Sequence, residues 1–196
     1  MNLDIKYKSF SIDGFCDREI LRYAGGRETS DYMEELLEEC KAEIKSELVY
    51  KVCYRELDVS TYGNKCDFGL FELSSKNLAD NLRDCKKVIL FAATIGTGID
   101  RAIMRYSNIS LTKGLLFQAI GAERIEALCN RFCEDISKEY NMSVKPRFSP
   151  GYGDLTLDTQ KIIFSLLECN KLLGLYLNES LVMSPAKSVT AFVGLK

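Results

Sequence analysis

The sequence predicts an α+β fold, a mainly antiparallel twisted sheet covered by helices. Three observations carry this. Residues 33–48 and 111–140 repeat apolar side chains at helical spacing. Residues 49–60, 68–73, 87–95 and 188–193 are short runs with the composition and flanking turn signals of strands. No repeat, low-complexity tract or linker divides the 196 residues, of which 46% are apolar, so a single domain over residues 1–196 with one sizeable core is expected.

Residues 1–15 are mixed and include a candidate edge strand. Residues 17–23 allow two helical turns, stopped by Gly25-Gly26. A stronger helix comes next. Ser30 or Asp31 is its N-cap, and Glu34 stands three residues after Asp31 in an Asp variant of the capping box. Met33, Leu36, Leu37, Cys40, Ile44 and Leu48 form its buried stripe, while Glu34, Glu35, Glu38, Glu39 and Glu43 fall on the solvated side. The strand at 49–60 and one at 68–73 flank a turn at Gly63-Asn64, and Leu78 and Leu82 mark a short helix. The run 87–95 is continuous in apolar residues after Lys87, as expected of a central strand covered on both faces. Gly96-Thr97-Gly98 links it to a helix over 99–106. This stretch lacks the third glycine of a dinucleotide fingerprint and the lysine of a phosphate loop, so it reads as a tight structural turn. It could still lend backbone N–H groups to a shared pocket.

The run 111–140 reads as one long helix with a possible break near Gly121. Leu116, Ile120, Leu128, Phe132, Ile136 and Tyr140 form its stripe, widened by Ala119, Ala122, Ile125, Cys129 and Cys133. A last helix is marked by Ile162, Ile163, Leu166, Leu167, Asn170 and Leu173, with Gly174 as its stop. Two β runs, 179–183 and 188–193, close the chain around the loop Ser184-Pro185-Ala186-Lys187.

Composition excludes several classes of function. A formal charge of −2 argues against a nucleic-acid partner, which normally meets a basic face. No apolar run reaches membrane-span length, and residues 1–8 hold no apolar signal core, so a cytoplasmic protein with no membrane partner is expected. Eight scattered cysteines read as reduced thiols. Cys129 and Cys133 share a helix face and could contribute to a metal site, but buried apolar cysteine is the commoner role and no Cys-x-x-Cys completes a ligand set, so no metal is expected. The absence of histidine removes Ser-His and Cys-His pairs and the usual general base near neutral pH. No catalytic residue is assigned.

The segment Arg147-Phe148-Ser149-Pro150-Gly151-Tyr152 stands out between the two helical regions. Pro150 has a fixed φ and no N–H, Gly151 reaches backbone angles other residues resist, and together they make a turn of defined shape. A guanidinium and a phenol flank it, which suits a small ligand with a carboxylate and a flat base. An ordinary surface loop is the alternative. The turn is expected to face solvent.

From this turn to the last strand, the chain resembles one family. The order R-x-x-P-G-Y, a helix containing L-L-E, a glycine stop and L-x-E-S-x-x-M-x-P-x-x-S-V is that of the activation domain of cobalamin-dependent methionine synthase. Here it is carried by Arg147, Pro150, Gly151 and Tyr152; Leu166, Leu167 and Glu168; Gly174; Leu177, Glu179 and Ser180; Met183, Pro185, Ser188 and Val189. The match covers about the last fifty residues in order and spacing, and the first hundred only in general layout. The resemblance implies a module that binds S-adenosylmethionine and supports reductive reactivation of a corrinoid. Arg147 would meet the ligand carboxylate, Ser149 would bind through its backbone, Gly151 would let the backbone approach the adenine edge, and Tyr152 would supply a hydroxyl or ring face. Glu179 and Ser180 would brace a loop.

The departures also matter. After Tyr152 the family has a Pro- and Cys-containing loop with an acidic-His pair; here it is Gly153-Asp154-Leu155-Thr156-Leu157-Asp158. The family's ligand-binding N-terminal aspartate has no match, and its late Trp-Tyr pair corresponds to Phe192 and Val193. No cobalamin-binding segment with a ligand histidine is present, so cobalamin is expected only on a partner: a corrinoid-binding methionine synthase core or another corrinoid protein, with a flavodoxin- or ferredoxin-type reductant. The chain would then be an accessory component rather than a complete enzyme. Two alternatives stay open: a different carboxylate-bearing ligand on the same scaffold, or an interaction partner with no ligand.

Overall fold

The computed structural model describes residues 4–25 and 30–196. Its frame is a four-stranded antiparallel sheet in the order β1 (Lys6–Ser9), β2 (Lys51–Asp58), β6 (Lys87–Thr94), β9 (Ser188–Leu195). The remaining strands lie outside it. β6 is interior, and all its residues beyond Lys87 are buried, as its continuous apolar run requires. Beyond β9 the chain adds a further edge. Ser143 and Lys196 exchange backbone hydrogen bonds, Lys145 N–H donates to Gly194, and Phe148 and Phe192 exchange a pair at 2.9 Å. Segment 143–148 is thereby laced to the sheet.

One face of the sheet carries α1 (Asp17–Tyr23), α2 (Asp31–Ile44), α4 (Gly98–Tyr106) and α5 (Leu111–Tyr140). Ser30 caps α2, its hydroxyl accepting from Met33 N–H, and Leu36, Leu37, Cys40 and Ile44 are the buried stripe. The half-buried Met33 and Leu48 pack against this core. Gly25 comes after α1, while Gly26, read as part of the same stop, lies outside the described residues. Phe132 is the hub of this core, with ring centroids 4.8 Å from Phe91 and 5.2 Å from Tyr54. The opposite face carries α3 (Lys76–Asn81), α6 (Thr159–Leu166), α7 (Cys169–Leu173) and a small sheet of β3 (Ser60–Tyr62), β4 (Lys65–Asp67) and β5 (Glu72–Ser74). Among the described residues no helix is long and apolar enough to cross a membrane.

Several boundaries differ from the sequence reading. α5 is unbroken at Gly121. A Cβ there would stand 2.8 Å from both Ile99 and the Lys187 stem, so the glycine admits close approach rather than a kink. The single strand expected over 49–60 is two, β2 and β3, in different sheets. Residues 68–73 mostly form a hairpin turn between β4 and β5, where Asp67 accepts from Gly69 N–H at 2.8 Å and Phe68 stacks on Phe71. The last helix is two, because Glu168 adopts φ +46 and the chain turns. Ile163, Phe164 and Leu167 are buried there, whereas Leu166, read as core, is only half-buried. Residues 179–183 are not a strand. They belong mostly to the turn joining β7 (Tyr176–Leu177) and β8 (Met183–Ser184). Asn178 braces that turn by accepting from Val182 N–H, while Glu179 and Ser180 are exposed.

Candidate functional site

The site grows from one stripe of α5. Glu123, Glu126, Asn130 and Cys133 recur every three or four residues and so share a face of the helix. Segment 143–148, laced to β9, runs beside that face and delivers Arg147 onto it. Arg147 Nη2 donates to Glu126 at 2.6 Å and Nη1 to Asn130 at 2.7 Å. The guanidinium is therefore held by two acceptors one helical turn apart, and its side chain is only 21% exposed. A groove of about 500 Å³ opens here, lined by Asn130, Cys133, Val144, Lys145, Pro146 and Arg147.

The rest of the turn is fixed from the other side. Phe148 and Pro150 are buried, contrary to the expectation that the turn faces solvent. Gly151 has φ +87, donates to Leu155 and presses on Leu157, where a Cβ would lie 2.8 Å from a leucine methyl. Asp154 ties the loop to the start of α3, accepting from the Ser75 hydroxyl and from Lys76 and Asn77 N–H, while Asn77 accepts from Asp154 N–H. The Ser75 hydroxyl, helped by the two backbone donors, holds the Asp154 carboxyl below its ordinary pKa.

Of the four residues singled out in the sequence, only Arg147 lines the groove. Ser149 is half-buried beyond it, Gly151 sits at the exposed turn, and Tyr152 is 70% exposed with its ring edge-on to Phe148 at 5.5 Å. The sequence reading missed Glu126 and Asn130. Their signal was present as polar residues at helical spacing beside the apolar stripe, but nothing local links them to Arg147, seventeen residues beyond Asn130.

The thiols near the groove are not poised for chemistry. Burial pushes Cys129 up to about 12, and burial also raises Cys133 against the opposing pull of Arg147, so both stay protonated at neutral pH. No group of three or more Cys, Asp or Glu placed to hold a metal ion occurs among the described residues. Deeper along α5, Glu123 and Arg124 form a buried ion pair, and the Arg124 guanidinium lies 4.6 Å from the centre of the Phe15 ring.

No family model matches the chain, and no curated protein matches it. Among solved structures it is similar to a crystal structure of the MetH reactivation domain bound to AdoHcy. The TM-score is 0.68 at 16% identity, covering 97% of this chain and 78% of that one. At this identity the likeness is one of fold.

Proposed function

We propose that the chain is an S-adenosylmethionine-binding module that supports reductive reactivation of a separate cobalamin-dependent methionine synthase or other corrinoid methyltransferase. The observation that carries this reading is the guanidinium of Arg147, fixed by Glu126 and Asn130 where it lines an open groove. Two facts support it: the fold is that of a domain solved with AdoHcy, and Arg147 opens the R-x-x-P-G-Y run.

The amino-acid end of the ligand is a zwitterion, and the Arg147–Glu126 pair matches it. The ligand carboxylate docks on the planar fork of Arg147, and the ligand ammonium takes the Glu126 carboxylate. Both protein charges keep an opposite partner, so binding leaves no charge buried and unpaired. Asn130 holds the guanidinium plane through the exchange. Glu126 thus takes the amine-holding role that no residue filled at the level of sequence. Corrinoid and reductant, the latter of flavodoxin or ferredoxin type, come from other proteins in this reading. The chain's own work is to bind and orient the methyl donor as an accessory component.

Titration calorimetry of wild type and Arg147→Ala with S-adenosylmethionine tests the binding. Submillimolar affinity in wild type, weakened in the variant, is expected; equal affinity in both removes Arg147 from the site. Rescue of an oxidised corrinoid methyltransferase by the added chain, electron donor and S-adenosylmethionine tests the role. One observation favours a second reading, a different carboxylate-bearing ligand: Ser149, Gly151 and Tyr152 lie outside the groove that Arg147 lines.

A further inference from the structure

We infer that the ligand cleft continues past Arg147, and that its second lobe, between α1 and α5, is a nucleoside site in which Tyr23 and Arg22 stack on the base and Glu19 holds the ribose hydroxyls. This rests on the proposed function, in which the ligand is an adenosyl amino acid.

A second groove of about 380 Å³ adjoins the first. Its α1 wall carries Glu19, Arg22 and Tyr23, and its α5 wall carries Glu123, Glu126 and Asn130. Asn130 lines both grooves, and the Arg147–Glu126–Asn130 bridge is the step between them. The α5 stripe from Glu123 to Cys133 covers ten residue steps, about 15 Å at 1.5 Å per residue, a length that suits a nucleoside joined end to end with an amino acid.

The two lobes differ in chemistry. Among the described residues the first is lined by Arg147 and Lys145 but by no aromatic ring on which a purine could stack. The second contains Tyr23, with the Arg22 guanidinium stacked 4.3 Å from the ring centre. Aromatic rings and guanidinium planes are the surfaces on which bases stack. Arg22 bonds only one oxygen of Glu19, at 2.7 Å from Nη2 and 2.9 Å from Nε. Among the described residues the other oxygen has a cation, Arg18, only at 4.0 Å, and it can take a role usual for an acidic residue, accepting from a ribose hydroxyl. Tyr152, the exposed aromatic ring of the turn, lines neither groove. With the amino-acid end on Arg147 and Glu126, the nucleoside then extends toward α1.

The test is calorimetry of Tyr23→Ala, Tyr152→Ala and Arg147→Ala with three probes: S-adenosylmethionine, 5′-methylthioadenosine and methionine. Tyr23→Ala should weaken S-adenosylmethionine by about tenfold and remove most 5′-methylthioadenosine binding while sparing methionine. Arg147→Ala should do the reverse with the two fragments, and Tyr152→Ala should change none of the three. Methionine binding retained by Tyr23→Ala shows that the alanine variant is folded, so its loss of nucleoside binding is not a folding defect. Glu19→Gln should reduce the preference for 5′-methylthioadenosine over its 3′-deoxy analogue. Loss of nucleoside binding in Tyr152→Ala with none in Tyr23→Ala overturns the assignment and puts the base on the turn. Wild type that binds no S-adenosylmethionine overturns the functional reading itself, a result distinct from either.

Discussion

The inner and outer halves of the segment that carries the site are neighbours in sequence and opposites in structure. Residues 143–148 are laced to β9 and reach α5 through Arg147. Residues 149–154 begin on the buried Pro150, turn outward at the exposed Gly151 and Tyr152, and are tied back at their far end by Asp154 on α3. One short motif thus divides into a wall and a rim. The guanidinium at the wall has fixed geometry before any ligand arrives, whereas the phenol at the rim has little to hold it.

The largest effect should come from the wall's supports. Phe148→Ala and Phe132→Ala each remove a buried ring and should cost about 3–5 kcal/mol of stability, measured by denaturant unfolding. A Phe148→Ala variant as stable as wild type would erase the contrast between wall and rim, since the inner half would then be no better anchored than the outer.

Arg147→Ala should act on binding more than on folding. A lost charge-assisted contact weakens S-adenosylmethionine by about tenfold or more, and Arg147→Lys should recover only part, because an ammonium cannot reproduce the planar fork. Unfolding free energy should fall by about 1 kcal/mol or less, as expected for a partly exposed ion pair.

Asp154→Asn should lower the melting temperature by less than the core truncations. Its carboxyl has a folded pKa below the unfolded value, so its contribution is present above the unfolded value of about 4 and is lost as pH falls through the folded pKa. The gap in melting temperature between wild type and Asp154→Asn should therefore narrow below about pH 4. A gap that persists there would show that the carboxylate's charge is not what moors the loop. The smallest effect is expected of Tyr152→Ala, within about 0.5 kcal/mol of wild type, since the ring is 70% exposed.

Features with local causes were legible in the residues alone. The α2 stripe, the continuous apolar run of β6, the caps and the shape of Pro150-Gly151 arise from periodicity and backbone chemistry within a few residues. The α+β class is their sum. Tertiary structure decided where local signals were weak or the partners were far apart. Gly121 permits either a kink or a close contact, and only Ile99 and Lys187 arriving from elsewhere settle it as a contact. The apolar run at 160–173 is compatible with one helix, and the left-handed Glu168 makes it two. Arg147 meets Glu126 and Asn130 because β9 seats segment 143–148 beside α5, an arrangement set by sheet pairing with the last residues of the chain. The site depends on that long-range pairing, and no window along the sequence contains both halves of it.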